Sequence, residues 1–367
     1  MFTALLDGVS QLTAGQMVMF VIGGVLIYLA IKKDYEPALL LPMGFGAIAA
    51  NIPNSSAVGP GGFLTTLYNA GIKTELFPVL IFIAIGAMID FTPLLQNPRL
   101  LLFGAAAQFG IFFTMALAAA VGFTLKQSAA IGIIGAADGP TSILVAKRFA
   151  LEYLAPITVA AYSYMALVPI IQPPVIRLLT TVEQRKIRME FNYSSISRTT
   201  RILFPIMVAI VAGIIAPLSV ALIAPLMFGN LIRESGVLER LSKTAQNELA
   251  NLVTLLLGIT IGSTMIAEAF LKTDTLMIIG MGLIAFIFDT AGGVLFARFM
   301  NLFLKVKINP MVGAAGISAF PMSARVIHKM GRKEDPTNYL LMPAIAANVA
   351  GQIGSVIAGG LLLALIK

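Results

Sequence analysis

One acidic residue, Asp138, lies within an uncharged stretch, with eleven uncharged residues before it and eight after it. A carboxylate in an apolar membrane segment costs about 3 kcal/mol unless it is paired, so such a residue is by default a functional candidate. The following Gly-Pro-Thr-Ser also predicts a helix start, with Asp138 as its N-cap. The two interpretations are compatible, because a helix N-terminus can bind an anion while the carboxylate binds a hard cation such as Na+.

A second stretch rich in Gly and Pro carries neutral oxygen ligands. Asn309 and Ser318 offer side-chain oxygens, and Gly313 and Gly316 let backbone carbonyls approach an ion. Oxygen ligands suit Na+, yet the same small residues are typical of helix packing in membranes, so both interpretations stay open. Arg325, at the end of this stretch, either extends to the membrane surface or pairs with the carboxylate of an anionic substrate.

Tyr164 lies in an apolar run interrupted by three prolines, and it shares that run with Gln172. Buried polar groups need partners, so Tyr164 is a proton donor in a chain with one His or else a structural hydrogen-bond donor between helices. Asp90, Glu268 and Asp289 lie close to the ends of apolar runs and are predicted to be interfacial.

The elements that must position these residues are membrane helices. Of 367 residues, 58% are apolar and 11% are charged, against about 25% charged in soluble domains, and mean hydropathy is +0.92. The uncharged runs are long enough to cross a bilayer: 8–31, 37–72, 100–125, 153–176, 202–232 and 336–366. This composition excludes a soluble enzyme, and the absence of Cys with a single His argues against thiolate, zinc and haem chemistry. No cleavable signal is evident, and 17–31 is the first predicted span.

A basic linker at 177–201 divides the chain near its midpoint. It carries six basic residues against two acids, which predicts a cytoplasmic location. The motif around 135–140 has a weak counterpart at 313–318, so 1–176 and 202–367 are predicted to be two membrane repeats. If the Gly- and Pro-broken runs 128–147 and 308–325 each re-enter on one side, the repeats are inverted. The predicted fold is an all-α polytopic membrane protein with broken helices and roughly 10–12 membrane segments.

Three motifs carry a resemblance to a known family. They are Gly-Ala-Ala-Asp138-Gly-Pro-Thr-Ser, Ala-Tyr-Ser-Tyr164-Met-Ala-Leu-Val-Pro and Asn309-Pro-Met-Val-Gly-Ala-Ala-Gly-Ile-Ser318-Ala-Phe-Pro-Met-Ser-Ala-Arg325. In this order, and over essentially the whole chain, the sequence resembles the beta subunit of the sodium-translocating biotin-dependent decarboxylases. The resemblance implies decarboxylation of carboxybiotin with proton uptake, coupled to Na+ export.

The resemblance also implies roles for individual residues. Asp138, Asn309, Gly313 and Ser318 correspond to Na+ positions, and Asp138 and Ser318 also to proton positions. Tyr164 corresponds to a coupling residue, and Arg325 to a catalytic position that contacts carboxybiotin.

The implied partners are a carboxyltransferase alpha subunit, a biotin carrier protein or domain, and a small membrane gamma or delta subunit, with a homo-oligomer allowed and no nucleic acid. The implied location is the prokaryotic plasma membrane. The alternative function is a sodium-coupled secondary transporter of a small carboxylate, in which no bond is broken. The acyl substrate is a property of another chain.

Overall fold

The computed structural model describes residue 8, residues 10–189 and residues 195–366. Within these residues the regular secondary structure is helical, with no strand. The α-helices, numbered in chain order from Ala14, are α1 Ala14–Lys33, α2 Pro37–Asn51, α3 Phe63–Leu67, α4 Leu76–Met88, α5 Thr92–Gln96, α6 Leu101–Ala106, α7 Phe109–Val121, α8 Leu125–Gly132, α9 Gly139–Phe149, α10 Leu154–Leu179, α11 Val182–Arg185, α12 Arg198–Ile215, α13 Val220–Ser235, α14 Glu239–Thr244, α15 Ala250–Ser263, α16 Ala267–Phe270, α17 Thr273–Phe303, α18 Pro310–Ala314, α19 Met322–Glu334 and α20 Leu341–Leu365.

Seven helical segments in the described part of the chain are long and apolar enough to cross a membrane, or eight if α3 and α4 form one span bent by 62°. The seven are Ala14–Lys33, Pro98–Val121, Leu151–Leu179, Arg198–Ile215, Pro217–Ser235, Thr273–Phe303 and Leu341–Leu365. The predicted all-α polytopic membrane fold is therefore confirmed. Seven or eight spans are fewer than the roughly 10–12 membrane segments predicted, and α2 is a further apolar helix that is too short to count among them.

The second half of the chain repeats the helix order of the first. A helix pair (α1–α2, α12–α13) is followed in each half by a helix containing a π-helical turn, at Tyr68–Ile72 and at Ala245–Leu249. Each half then has a broken segment (α8–α9, α18–α19) and ends on a long helix, α10 or α20. The packing between halves is reciprocal, since α2 packs on α15 and α13 packs on α4. Duplication of the two halves, and inversion of the repeats, stay predictions.

Glycines allow the two reciprocal helix contacts to be close. A Cβ on Gly86 of α4 would lie 1.9 Å from the Leu226 carbonyl oxygen of α13, and one on Gly262 of α15 would lie 2.0 Å from the Met43 carbonyl oxygen of α2. Small residues are the usual means of helix association in membranes, where hydrophobic burial supplies little driving force. These contacts hold the two halves together around the broken segments.

The two broken segments cross inside the protein. In the first, α8 continues into the 3-10 turn Ile133–Ala136 before α9 begins, and in the second, irregular residues 315–321 separate α18 from α19. The backbone N–H of Ser318 donates to the Ala136 carbonyl at 3.0 Å, which joins the two breaks directly. Irregular backbone at membrane depth is tolerated where it is buried in protein or lines a wet cavity, so this crossing is where chemistry is expected.

Candidate functional site at the crossing of two broken helices

Asp138 caps the N-terminus of α9. Its Oδ1 accepts the Thr141 N–H at 3.4 Å, and the Thr141 hydroxyl donates to its Oδ2 at 2.7 Å. The hydroxyl of Ser355, on α20, donates to the same Oδ2 at 2.7 Å. The residue is 4% exposed, and no basic side chain in the described chain forms an ion pair with it. The predicted N-cap is confirmed. An ionised carboxylate here therefore needs a cation or a proton to neutralise it.

The backbone immediately before Asp138 is strained. Ala137 has φ of 51°, in the left-handed region that residues with a Cβ rarely adopt. Such strain costs about 1–3 kcal/mol and persists only where the surrounding structure enforces it. The turn that carries Asp138 is thus held in a conformation that stores energy next to the candidate ion ligand.

Ser318 is at the centre of the crossing. Besides the N–H bond to the first break, its hydroxyl donates to the Gly351 carbonyl of α20 at 2.9 Å. A Cβ on Gly351 would lie 2.3 Å from the Gly316 carbonyl oxygen, so α20 contacts the second break without a side chain in between. Asp138 and Ser318 are therefore brought together through α20, although the two residues are 180 apart in sequence.

One face of α20 supplies further oxygens. Asn348, Gln352 and Ser355 follow i, i+4, i+7 spacing and are buried. The amide of Asn348 donates to the Ile317 carbonyl at 2.6 Å, and the amide of Gln352 donates to the Ser318 carbonyl. The side-chain oxygens of Asn348 and Gln352 are buried and accept no hydrogen bond from the described residues. Sequence reasoning missed these residues, and the signal was their polar spacing within the uncharged run 336–366.

Two tyrosines of α10 lie close to the crossing in different places. The ring of Tyr162 packs on Gly139, where a Cβ would lie 2.1 Å from a ring atom, and its buried hydroxyl has no partner. The hydroxyl of Tyr164 donates to the Ile279 carbonyl of α17, and its ring contacts Gly282. Tyr162 therefore contacts Gly139, the residue after Asp138, whereas Tyr164 connects α10 to α17.

Asn309 and Gly313 make contacts away from Asp138. The Asn309 amide donates to the carbonyls of Arg185 and Ile187 at 2.8 and 2.7 Å, and its Oδ1 accepts the Met311 N–H at the start of α18. A Cβ on Gly313 would lie 2.0 Å from the Gly293 carbonyl oxygen, which is close helix packing against α17. The structure does not bring the Asn309 side chain to Asp138.

Comparison with known proteins identifies the family. Residues 15–366 match the family described as the Na+-transporting oxaloacetate decarboxylase beta subunit. The chain belongs to this family of beta subunits. It is 48% identical to the methylmalonyl-CoA decarboxylase subunit beta of Propionigenium modestum, over 100% of both chains. It is 49% identical to the glutaconyl-CoA decarboxylase subunit beta of Acidaminococcus fermentans, over 98% of this chain and 96% of the relative. The oxaloacetate decarboxylase beta chain of Klebsiella pneumoniae is 44% identical, over 97% and 96%.

These similarities confirm the predicted family, the membrane location and membership in a decarboxylase that transports Na+. The beta subunit is a component of a multi-subunit decarboxylase, as the names of its relatives imply. The names of these relatives differ in the substrate: methylmalonyl-CoA, glutaconyl-CoA or oxaloacetate.

The basic linker of the beta subunit is attached to α19. Arg185 pairs with Glu334 at 2.8 Å, and Arg188 pairs with Asp335 at 2.7 Å. Hydrogen bonds from the Thr337 hydroxyl and N–H, together with Arg188, lower the pKa of Asp335 to about 2. Because this folded-state pKa is lowered, the stabilisation is present above the ordinary carboxyl pKa of about 4 and is lost only as pH falls through about 2. The attachment therefore does not titrate near neutral pH.

Arg325 lines a cavity of about 250 Å³ at one end of α19. Lys329 lines it from the same helix, and Asp34 and Glu36 line it from the loop between α1 and α2. Within the described residues Arg325 has no ion-pair partner. Burial raises the pKa of Glu36, and the charge of Arg325 opposes that rise. An unpaired guanidinium and a lysine in one cavity suit an anionic ligand.

The expectation that Asp289 is interfacial is wrong. Asp289 is 0% exposed and lies near the middle of α17, whereas Glu268 is exposed and Asp90 is half-buried at a helix end. Residues 273–303 form one continuous helix through Asp289, so no membrane segment ends there. The beta subunit thus contains a second buried membrane carboxylate.

Proposed function

We propose that the beta subunit releases CO2 from carboxybiotin and couples that release to Na+ export through the Asp138 site. The observation that carries this proposal is the buried Asp138 carboxylate at the crossing. Among the described residues it has no basic partner, and the adjacent helix face has two amide oxygens without a hydrogen-bond partner. Such a site holds one monovalent cation, and a Na+ ion and a proton exclude each other there.

The site must prevent CO2 release without ion movement. Moving one elementary charge against 100 mV costs about 2.3 kcal/mol, so an uncoupled turnover would lose that energy. Carboxybiotin supplies the carboxyl group as a carbamate, which loses CO2 when its C–N bond breaks and a proton binds the ureido nitrogen. The role of Asp138 is to make that proton and the exported Na+ compete for the same carboxylate oxygens.

The Na+ ligands we propose are Asp138, Ser318, Asn348 and Gln352. This set keeps two of the residues that the sequence suggests and adds the two α20 amides whose oxygens have no partner. Carboxylate, hydroxyl and amide oxygens are ligands that Na+ accepts. Asn309 contributes indirectly, because its hydrogen bonds attach the linker to the start of α18. Gly313 contributes by allowing α18 to pack on α17, and Tyr164 by connecting α17 to α10.

The Arg325 cavity is the proposed binding place for carboxybiotin. The donor chemistry fits, because Arg325 and Lys329 offer positive charge to a carboxylate and neither pairs with an acid within the described residues. We propose a biotin carrier as the partner that delivers the group, a carboxyltransferase alpha subunit that loads it, and a small gamma or delta membrane subunit. The 177–201 linker, attached to α19, lies on the cytoplasmic side in this proposal.

Glu36→Gln is expected to lower the KM for carboxylated biotin by about twofold to fivefold. A carboxylate in the same cavity repels an anionic substrate by roughly 0.5–1 kcal/mol across water-like surroundings. Because burial raises the pKa of Glu36, acidification neutralises it earlier than an ordinary Glu, so the wild-type KM falls as pH decreases. The glutamine variant should lose this dependence. Initial rates across pH measure both effects, with Glu239→Gln, an exposed acid paired with Lys243, as the control.

The function itself is tested by reconstituting the purified subunit in vesicles with carboxylated free biotin and 22Na+. We expect CO2 release that requires Na+, together with Na+ movement against its gradient, and only when carboxylated biotin is on the side where the linker is exposed. Na+ uptake driven by a small carboxylate, without CO2 release, would show a secondary transporter instead.

A further inference from the structure

Asp289 of α17 lies outside the proposed Na+ site, where α17 meets the start of α7 and the turn Ile133–Ala136. Its Oδ1 accepts the N–H of Ile111 at 3.2 Å, at the start of α7. Its Oδ2 is fully buried and has no hydrogen-bond partner among the described residues. One oxygen therefore caps the start of α7, while the other is packed without a hydrogen-bond donor from the described part of the chain.

The free oxygen faces the turn that leads to Asp138. A Cβ on Gly135 would lie 2.5 Å from Oδ2, so the carboxylate contacts the bare backbone of the turn Ile133–Ala136. Asp138 follows that turn after the strained Ala137. Asp289 thus contacts the turn, and Asp138 follows it in the chain, so a movement of that turn changes the surroundings of both acids.

The ligand that fits Oδ2 is a proton. No basic residue in the described chain forms an ion pair with Asp289, so an ionised form would be an unpaired membrane charge. A Na+ ion needs several oxygen ligands, whereas the groups in contact here are N–H donors and a glycine Cα. A proton requires no such shell of ligands.

The elements packed against α17 carry the other ionisable groups that could influence Asp289. The elements packed against α17 are α6, α7, α8, α10, α16, α18 and the turn Ile133–Ala136. Together with the residue that follows Ala137, they carry these ionisable side chains: Lys126, Asp138, Tyr162, Tyr164, Arg177 and Glu268. Helices α6, α7 and α18 carry none, and they supply no counter-charge to Asp289.

We propose that Asp289 is a proton-binding site of the pump, and that its proton enters or leaves as the turn Ile133–Ala136 moves on Na+ binding at Asp138. This inference rests on the proposed function, since it supplies a station for the proton that CO2 release consumes. The same turn couples the occupancy of the two acids, so that Na+ binding at Asp138 changes the protonation of Asp289.

The test is infrared difference spectroscopy of the reconstituted complex, Na+-bound minus Na+-free, in wild type and Asp289→Asn. In wild type we expect the protonated-carboxyl bands of both Asp138 and Asp289 to change with Na+, and the Asp289→Asn variant should lose only the Asp289 band. Asp289→Glu, which keeps an acid, should shift that band and retain it. Asp274→Asn, on the exposed start of the same helix, is the matched control and should alter neither band nor turnover.

Turnover provides the second measurement. Asp289→Asn keeps an acceptor for the Ile111 N–H, so the fold is retained, and we expect at least tenfold slower CO2 release. Because the occupancy of the two acids is coupled, Na+ affinity should also lose the part of its pH dependence that protonation of Asp289 supplies. Unchanged turnover, pH profile and infrared bands would reduce Asp289 to a helix cap and overturn the proposal. If Asp289→Asn fails to fold, the infrared spectra of wild type and Asp289→Glu test the proton site instead. If the wild-type complex releases no CO2 with Na+, the proposed function fails, and the spectra still test the proton site.

Discussion

Asp138→Asn is expected to abolish Na+-dependent release of CO2 from carboxybiotin while the protein stays folded in the membrane. The amide keeps the size of the side chain, and its oxygen still accepts the hydroxyl groups of Thr141 and Ser355. What is lost is the charge that binds Na+ and the proton in turn. Turnover should fall by at least a hundredfold, measured as Na+-stimulated CO2 release, whereas thermal unfolding of the variant should move by only a few degrees.

Competition between Na+ and the proton predicts a second effect in the same measurement of CO2 release. In wild type, lowering the pH should raise the Na+ concentration needed for half-maximal activity, because both ions occupy the same oxygens. Asp138→Glu should retain weak activity with altered Na+ affinity. The matched control is Asp90→Asn, since Asp90 also accepts a backbone N–H at the start of a helix but lies half-buried next to Arg233. Near-normal activity of Asp138→Asn would leave Asp138 as a helix cap only.

Gln352→Met is expected to raise the Na+ concentration for half-maximal activity about tenfold, with a smaller change in maximal turnover. Methionine has a similar length and volume but removes the amide oxygen, which is buried without a partner and is a proposed Na+ ligand. A tenfold loss of affinity corresponds to about 1.4 kcal/mol, which is reasonable for one neutral oxygen ligand. The measurement is 22Na+ binding to the purified subunit together with the Na+ dependence of CO2 release.

Gln108 provides the control for that substitution. It is buried, its amide donates to the Gly104 carbonyl at 2.9 Å, and its oxygen also lacks a partner, so Gln108→Met removes an equivalent set of contacts. Both variants should lose similar stability, about 0.5–1.5 kcal/mol for one hydrogen bond. Equal effects of the two on Na+ dependence would show that Gln352 acts through packing, and would remove it from the proposed ligand set.

Much of the fold and the centre of the site follow from sequence alone. Uncharged runs of bilayer length require helices, because backbone polar groups in lipid must bond within their own segment. Asp138 is conspicuous for the same reason, since a lone acid in such a run is costly unless it functions. Gly and Pro interrupt the two broken segments because they favour irregular backbone there, and three long motifs were enough to suggest the family.

Only the tertiary structure decided which oxygens meet Asp138. Ser355 is 217 residues away, and its spacing with Gln352 and Asn348 marks a shared helix face without saying what that face contacts. The same ambiguity left Asn309 as a candidate ligand, although its amide holds the linker, and Asp289 as an interfacial acid, although it is fully buried. Local composition determines whether a segment enters the membrane. The rotation and crossing of packed helices depend on contacts between distant residues, such as Gly316 with Gly351, and these set the partners of each polar group.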